Sequence, residues 1–159
     1  MENEVGYSEK IKMIFNETIT LTIEEFSFHT LSNDVLKTIF KDGRIFAHFI
    51  EHQLSKDFNL KHVSGCKSHD IVDPDNPDIK YEQKTFTKKG CNFTPSNMIG
   101  QGRKFNKDVF VEKASKLNYI IVSNVNFPEI KIKFMTGTDL LSKYPNGKIP
   151  KKDFNQFFA

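Results

Sequence analysis

Apolar positions recur at helical spacing in the first third of the chain. Between residues 44 and 58 the apolar side chains lie three or four positions apart, which predicts an amphipathic helix. A shorter helix is predicted to end at Phe40, with Ser32 or Asn33 as its N-cap. Residues 1–28 mix β-branched and charged side chains, and their pattern supports no firm assignment.

A hairpin is predicted in the middle of the chain. Residues 66–72 and 79–86 have the composition of strands, and the Asp-Pro-Asp-Asn-Pro-Asp segment at 73–78 is typical of a turn. Proline fixes φ, and Asp and Asn side chains cap turns locally. Strands joined in this way pair antiparallel. Residues 87–106 are polar and contain three glycines, which predicts a long functional loop.

The last third of the chain alternates between helical and strand patterns, which predicts a mixed α/β sheet layered with helices. Apolar residues and lysines alternate along residues 130–135, so we expect a half-buried strand there. In order, the predicted segments are a helix at 108–117, a strand at 119–123, a turn at Pro128, a strand at 130–135, a short helix from Thr136 or Thr138 to Leu141, and a C-terminal segment from Pro150.

Composition is that of a folded, single-domain protein. The chain has 159 residues, of which 38% are hydrophobic, enough to bury a core. It contains no run of about 18 apolar residues, and its first residues have neither the basic nor the apolar segment of a signal peptide, so we expect neither a membrane span nor a secretion signal. Cys66 and Cys91 lie 25 positions apart without further ligands at metal spacing. We therefore expect reduced thiols in a cytoplasmic protein rather than a disulfide or a zinc site.

Charge is distributed unevenly along the chain, although the net charge is only +3. Residues 1–83 hold 9 basic and 15 acidic side chains, whereas residues 84–159 hold 14 and 5. The densest basic stretch is 84–116, with 8 basic and 2 acidic residues. Such asymmetry favours a polyanionic partner for the basic half. The alternative is a lysine-rich face that only contacts solvent.

Three residues of the hairpin carry the candidate chemistry. Side chains two apart on a strand share a face, so Glu82 and Lys84 project to the same side. The returning strand brings Asp70 beside them. Two carboxylates that converge near a lysine repel each other, and a hard divalent cation resolves the conflict. Mg²⁺ prefers carboxylates, waters and substrate phosphates, and the carbonyl of Gln83 is a further candidate ligand.

This metal would polarise a phosphoryl group and lower the pKa of a bound water. Lys84 would orient that water or neutralise the negative charge that develops.

The residues SHDIVD at 68–73, the proline-rich turn and YEQKT at 81–85 resemble the PD-(D/E)XK nuclease superfamily, especially small type II restriction endonucleases. That family has an Asp at the end of one strand and a Glu-x-Lys on the next; here 12 positions separate Asp70 from Glu82. This sequence departs from the family pattern in lacking a proline immediately before Asp70, where His69 stands, and many members do the same. The resemblance implies a single-domain, restriction-endonuclease-like α/β fold, with a mixed β-sheet flanked by helices.

The resemblance also implies a Mg²⁺-dependent DNA endonuclease, with Mn²⁺ able to substitute. In this family the helix before the hairpin often contributes a further acid, which makes Glu51 an additional candidate ligand; a solvated helix glutamate is the alternative. Within one nuclease domain, 1–159, we expect a mainly helical part at 1–64, the catalytic sheet and DNA-binding loop at 65–135, and a helical C-terminal segment at 136–159.

Other acids and histidines near these residues are weaker candidates. Asp73, Asp75 and Asp78 lie in or beside the turn and are expected to cap it. His48 and His52 are spaced one helical turn apart, but the sequence offers no third ligand. The side chain of His69 is expected on the strand face opposite Asp70.

The polar loop after the hairpin is a candidate DNA-binding element. Lysine and arginine bind phosphates, whereas Asn, Gln and Arg can also read base edges. The candidates are Lys88, Lys89, Asn92, Asn97, Gln101, Arg103, Lys104 and Lys107. Cleaving both strands of double-stranded DNA requires two active sites, so we expect a homodimer on a palindromic site.

Three functions compete with a restriction endonuclease. A structure-selective nuclease, such as a junction resolvase or a repair enzyme, would share the motif. A DNA-binding protein without catalysis would need the basic loop but not the three hairpin residues. An interaction module with a fortuitous Glu-x-Lys would bind no divalent metal at the hairpin.

Overall fold

One mixed sheet of six strands organises the chain in the computed structural model, which describes residues 7–63, 71–94 and 104–159. The helices are α1 (Tyr7–Ile14), α2 (Asn33–Phe40), α3 (Gly43–Asp57), α4 (Lys107–Ser115), α5 (Gly137–Lys143) and α6 (Phe154–Phe157), with a 3-10 turn at Lys151–Asp153. The strands are β1 (Thr18–Thr22), β2 (Lys61–His62), β3 (Ile71–Val72), β4 (Lys80–Phe86), β5 (Cys91–Asn92), β6 (Asn118–Ser123), β7 (Glu129–Thr136) and β8 (Lys148–Ile149).

The strand order is β1-β7-β6-β4-β3-β2, and β5 and β8 form a separate two-stranded ribbon. Strands β4 and β6 run parallel, whereas the other pairs in the large sheet are antiparallel. The connection from β4 to β6 contains α4, as a parallel pair requires a crossover. This mixed sheet flanked by helices confirms the predicted fold class and is compatible with a restriction-endonuclease-like fold.

Each face of the sheet has its own apolar core. On one face α3 contributes Phe46 and Ile50 to a cluster that includes Tyr81 and Phe134. On the other face α4, α5 and α6 cover a cluster around Phe86. Residues of β6 alternate between the two clusters, as strand geometry demands. The sheet is therefore covered on both faces.

Local capping explains why the predicted helices begin where they do. Ser32 accepts a hydrogen bond from the Val35 amide, which selects Ser32 rather than Asn33 as the N-cap of α2. Thr136 accepts from the Asp139 amide at the start of α5, so Thr136 rather than Thr138 caps that helix. The predicted helices at 44–58 and 108–117 are confirmed within one or two residues as α3 and α4.

Among the strands that depart from the predicted organisation, β1 and β5 pair with distant segments of the chain. Strand β1 lies within the part expected to be mainly helical and joins the sheet edge by pairing with β7. Strand β5 lies within the expected loop at 87–106 and pairs with β8, more than fifty residues later. Both pairings join segments far apart in the chain, which local pattern cannot reveal. Two-residue strands also carry little pattern of their own.

Lys133 on β7 is buried, whereas the alternating pattern of this strand predicts that its lysines face solvent. It is 6% exposed, and its Nζ donates to the carbonyl oxygen of Phe157 at 2.7 Å. The ammonium also lies 4.9 Å from the centre of the Phe157 ring, a cation–π contact. The C-terminal helix α6 thus covers a lysine as well as apolar side chains.

Candidate metal and nucleic-acid site

The predicted hairpin is present. Ile71 pairs with Tyr81 and Val72 with Lys80, and the Asp73 amide donates to the Ile79 carbonyl at 3.0 Å. The turn between β3 and β4 therefore closes where the sequence predicts it.

Asp73 caps this turn with its side chain. The carboxylate is nearly buried and accepts hydrogen bonds from the amides of Asp75 at 2.8 Å and Asn76 at 3.3 Å. The Asp78 amide donates to the Asn76 side chain. These contacts are the local Asx hydrogen bonds expected of this composition, so Asp73 has a structural role in the turn.

Alternation along β4 places Glu82 and Lys84 on one face. Tyr81 belongs to the core beneath α3, whereas Phe86 belongs to the core beneath α4. Glu82 and Lys84 therefore share the Phe86 face. Lys84 Nζ lies 3.0 Å from Glu82 Oε1, and the side chains are 14% and 2% exposed. A shielded ion pair stands at the centre of the predicted motif.

Two further groups lie within electrostatic reach of this pair. Tyr119 on β6 pairs with Glu82 in the register, and its pKa is raised by burial, by the charge of Glu82 and by Cys91. Burial raises the pKa of the Cys91 thiol to about 12, while Lys84 lowers it in part. Cys91 is a free, buried cysteine. The pair thus lies near two buried groups, a phenol and a thiol, that belong to a largely apolar cluster.

Gln83 between them has its side chain on the opposite face. Its Nε2 donates to the Ala47 carbonyl at 3.0 Å, which ties β4 to α3. The backbone carbonyl of Gln83 stays a predicted metal ligand.

Glu51 lies on α3, and this helix covers the face of β4 opposite Glu82. It forms an ion pair with His62 on the edge strand β2. His62 lies near His52, with ring centres 6.3 Å apart, and His52 contacts His48 at 5.0 Å. The structure therefore places Glu51 in a histidine-containing group at the sheet edge, and its role as a metal ligand stays a prediction.

Several predicted site residues lie outside the described residues. They are Asp70, Asn97, Gln101 and Arg103, together with His69 and Cys66. Within 7–63, 71–94 and 104–159, no group of three or more His, Cys, Asp or Glu side chains is arranged to hold a metal ion. The second carboxylate predicted for a metal site at Glu82, that of Asp70, lies beyond these ranges.

Glu82 suits a hard cation by its chemistry. A carboxylate withdrawn from water is costly without a positive partner, and here that position is taken by the Lys84 ammonium. Mg²⁺ binds carboxylate oxygens and retains waters, so Glu82 and a lysine able to contact such a water fit this ion. Within the described chain the fit rests on one carboxylate.

Basic side chains gather where β4 ends. Lys88 and Lys89 are exposed after the strand. A cavity of about 650 Å³ is lined by Lys89, Asn92 and Lys148 together with parts of β4, β5 and β8. Lys148 was missed from the sequence because only the β5–β8 ribbon brings it here. We call this cavity the lysine groove.

The remaining predicted DNA-binding residues that the structure describes are Asn92, Lys104 and Lys107. The Asn92 side chain accepts a hydrogen bond from the Thr94 amide at 3.0 Å, so its oxygen already stabilises the loop. Lys104 and Lys107 are exposed before and at the start of α4. Phe105 between them is 54% exposed. One exposed aromatic side chain therefore lies between two exposed lysines at the start of α4.

No protein-family model matches the chain, and no curated protein sequence matches it. Across the described ranges, no helix is both long and apolar enough to cross a membrane.

Proposed function

We propose that this protein is a Mg²⁺-dependent DNA endonuclease of the restriction type, with Asp70, Glu82 and Lys84 at its centre. The observation that carries the proposal is the shielded pair of Glu82 and Lys84, 3.0 Å apart on the second strand of a hairpin. Buried ion pairs contribute little net stability. Such a pair is therefore more readily explained by chemistry than by folding.

Asp70 enters the proposal as the carboxylate that the sequence predicts beside Glu82 and Lys84. It lies outside the described residues, immediately before the strand residue Ile71, which pairs with Tyr81.

Asp70, Glu82 and the Gln83 carbonyl are the proposed Mg²⁺ ligands. The bound ion would polarise the scissile phosphate and acidify a water. Lys84 would hold this water by a hydrogen bond and stabilise charge that develops on the phosphate. The water oxygen would bond to phosphorus as the bond from phosphorus to one bridging oxygen breaks, and the proton that the water gives up would be balanced by one that the leaving oxygen takes from solvent.

The proposed substrate is double-stranded DNA. The lysine groove and the exposed Lys104 and Lys107 supply positive charge on the segment that follows the catalytic strand. Phosphate binding by such lysines is independent of sequence. We propose a homodimer, so that two active sites cleave both strands. The free thiol of Cys91 supports a reducing, cytoplasmic location.

The test is digestion of supercoiled plasmid with and without Mg²⁺. The wild type should give linear products whose sequenced ends share a motif, and Glu82→Gln and Lys84→Met should each lose at least about a hundredfold in rate. The matched control is Glu112→Gln, which removes the carboxylate of an exposed Glu–Lys pair on α4. It should cleave normally.

Two outcomes would contradict the proposal: a wild type that cleaves no DNA, or a Glu82→Gln variant that cleaves as fast as the wild type. A parallel digestion of four-way junctions and linear duplexes distinguishes a restriction endonuclease from a structure-selective nuclease, because the latter would cleave the junction faster.

A further inference from the structure

Tyr119 carries a buried hydroxyl and lies on the strand next to the proposed metal ligand. The parallel register of β4 and β6 pairs it directly with Glu82, and its side chain has no exposed surface. Within the described part of the chain its hydroxyl has no hydrogen-bond partner. Buried phenol hydroxyls usually find one. This hydroxyl therefore carries a desolvation cost that its packing does not offset.

Packing alone does not account for a tyrosine at this position. Phe93 contacts the ring at 5.5 Å in an edge-on arrangement, and the surrounding cluster is largely apolar, with Phe110 among its members. A phenylalanine would fill nearly the same volume without burying a polar atom. We therefore infer that the hydroxyl has a hydrogen-bonding role in another state of the site.

The Lys84–Glu82 contact suggests what that role is. A divalent cation at Glu82 would repel the Lys84 ammonium, now 3.0 Å from the carboxylate, and would weaken its contact with that carboxylate. An uncharged hydrogen-bond donor would then stabilise the Glu82 carboxylate without repelling the cation. Tyr119 suits this, because its hydroxyl is a neutral donor that is fully buried and has no partner within the described part of the chain.

We propose that Tyr119 is a positioning residue whose hydroxyl donates a hydrogen bond to the Glu82 carboxylate when the site holds Mg²⁺, replacing Lys84. This inference rests on the proposed function. It separates two states of the carboxylate: one held by Lys84 without metal, the other held by Tyr119 while Lys84 turns toward the attacking water. Partners of metal-ligating groups orient them and tune their affinity.

The test compares Tyr119→Phe with the wild type in unfolding experiments at increasing concentrations of Mg²⁺ alone. A ligand that binds the folded state raises the unfolding midpoint, and the concentration dependence gives its dissociation constant. We expect the metal-free midpoint to stay the same or rise, while Mg²⁺ affinity falls roughly tenfold. Plasmid cleavage at limiting Mg²⁺ should fall in parallel and recover in part at high Mg²⁺.

Tyr81→Phe is the matched control. Tyr81 adjoins Glu82 in sequence and is 2% exposed, but it faces the opposite core. Removing its hydroxyl should leave Mg²⁺ affinity unchanged.

Each other outcome has a defined meaning. If the wild type binds Mg²⁺ and cleaves while Tyr119→Phe matches it, the role of Tyr119 is wrong and the nuclease proposal stands. A lower metal-free midpoint in Tyr119→Phe would make the hydroxyl structural, which also overturns the inference. A wild type with neither Mg²⁺ binding nor cleavage would overturn both proposals.

Discussion

Lys84 Nζ lies 3.0 Å from Glu82 Oε1 on one face of β4, and the two side chains are almost removed from solvent. Strand geometry makes them neighbours, since residues two apart share a face. Packing then decides how strongly they interact, because the helices over this face exclude water. Charge removed from one partner leaves the other in a poorly solvated place.

The free energy of unfolding lost in the two single variants should therefore add up to more than the loss in the double variant. Glu82→Gln and Lys84→Met should each lower the free energy of unfolding by about 3 kcal/mol, because each leaves one shielded charge. The double variant should lose clearly less than the sum. Urea unfolding of the four proteins closes the cycle. Strict additivity would show that the two charges do not interact.

Lys133 gives a stability prediction that depends on pH. Burial lowers the pKa of Lys133 in the folded protein, and the charge of Lys143 lowers it further. Between that lowered pKa and 10.5 the unfolded chain binds more protons than the folded one, so this group makes stability rise with pH. The stability of the wild type relative to Lys133→Met should thus increase from neutral pH toward 10.5.

Denaturant unfolding of both proteins across this range measures the trend. Lys131→Met is the control, since Lys131 lies on the same strand but is more exposed and hydrogen-bonds to Thr20. Its difference from the wild type should vary less with pH. A flat or falling difference for Lys133→Met would contradict the burial of its charge.

The lysine groove predicts a salt effect on DNA binding. Lys89→Ala and Lys148→Ala should each weaken binding of a short duplex in EDTA, and each should reduce the slope of log K against log salt by about one, as loss of one phosphate contact does. Lys56→Ala, an exposed lysine on α3, is the control. Equal slopes for all four proteins would place the DNA elsewhere.

Local signals account for the part of the fold that the sequence predicted. The cap at Ser32, the apolar spacing of α3 and the proline-rich turn each act within a few residues. The same holds for Glu82 and Lys84, whose shared face follows from the period of one strand. These features need no knowledge of distant partners.

Pairings between distant segments account for what the sequence did not reveal. Lys148 reaches the lysine groove through β8, and Tyr119 meets Glu82 through the parallel register of β4 with β6. Lys133 is buried by α6 at the end of the chain. Each depends on a tertiary contact, so no periodicity in the sequence signals it.

Replacing Gly137 with a larger residue should cause a severe packing defect where α5 meets α4. Gly137 is the first residue of α5, its amide donates to the Leu117 carbonyl at 2.8 Å, and an added Cβ would lie 1.7 Å from the Ala114 carbonyl oxygen. Neither group is a flexible side chain, so the backbone must shift. Gly137→Ala should lower the free energy of unfolding by about 3 kcal/mol or more.

Gly43 provides the matched control because it is also the first residue of a helix. There an added Cβ would meet only the Thr87 side chain, at 3.3 Å. Gly43→Ala should therefore change stability by less than about 1 kcal/mol, since the higher helix propensity of alanine offsets the closer contact. Urea denaturation of both variants measures the contrast, and similar losses would mean that the helix start, rather than the α4–α5 contact, sets the cost.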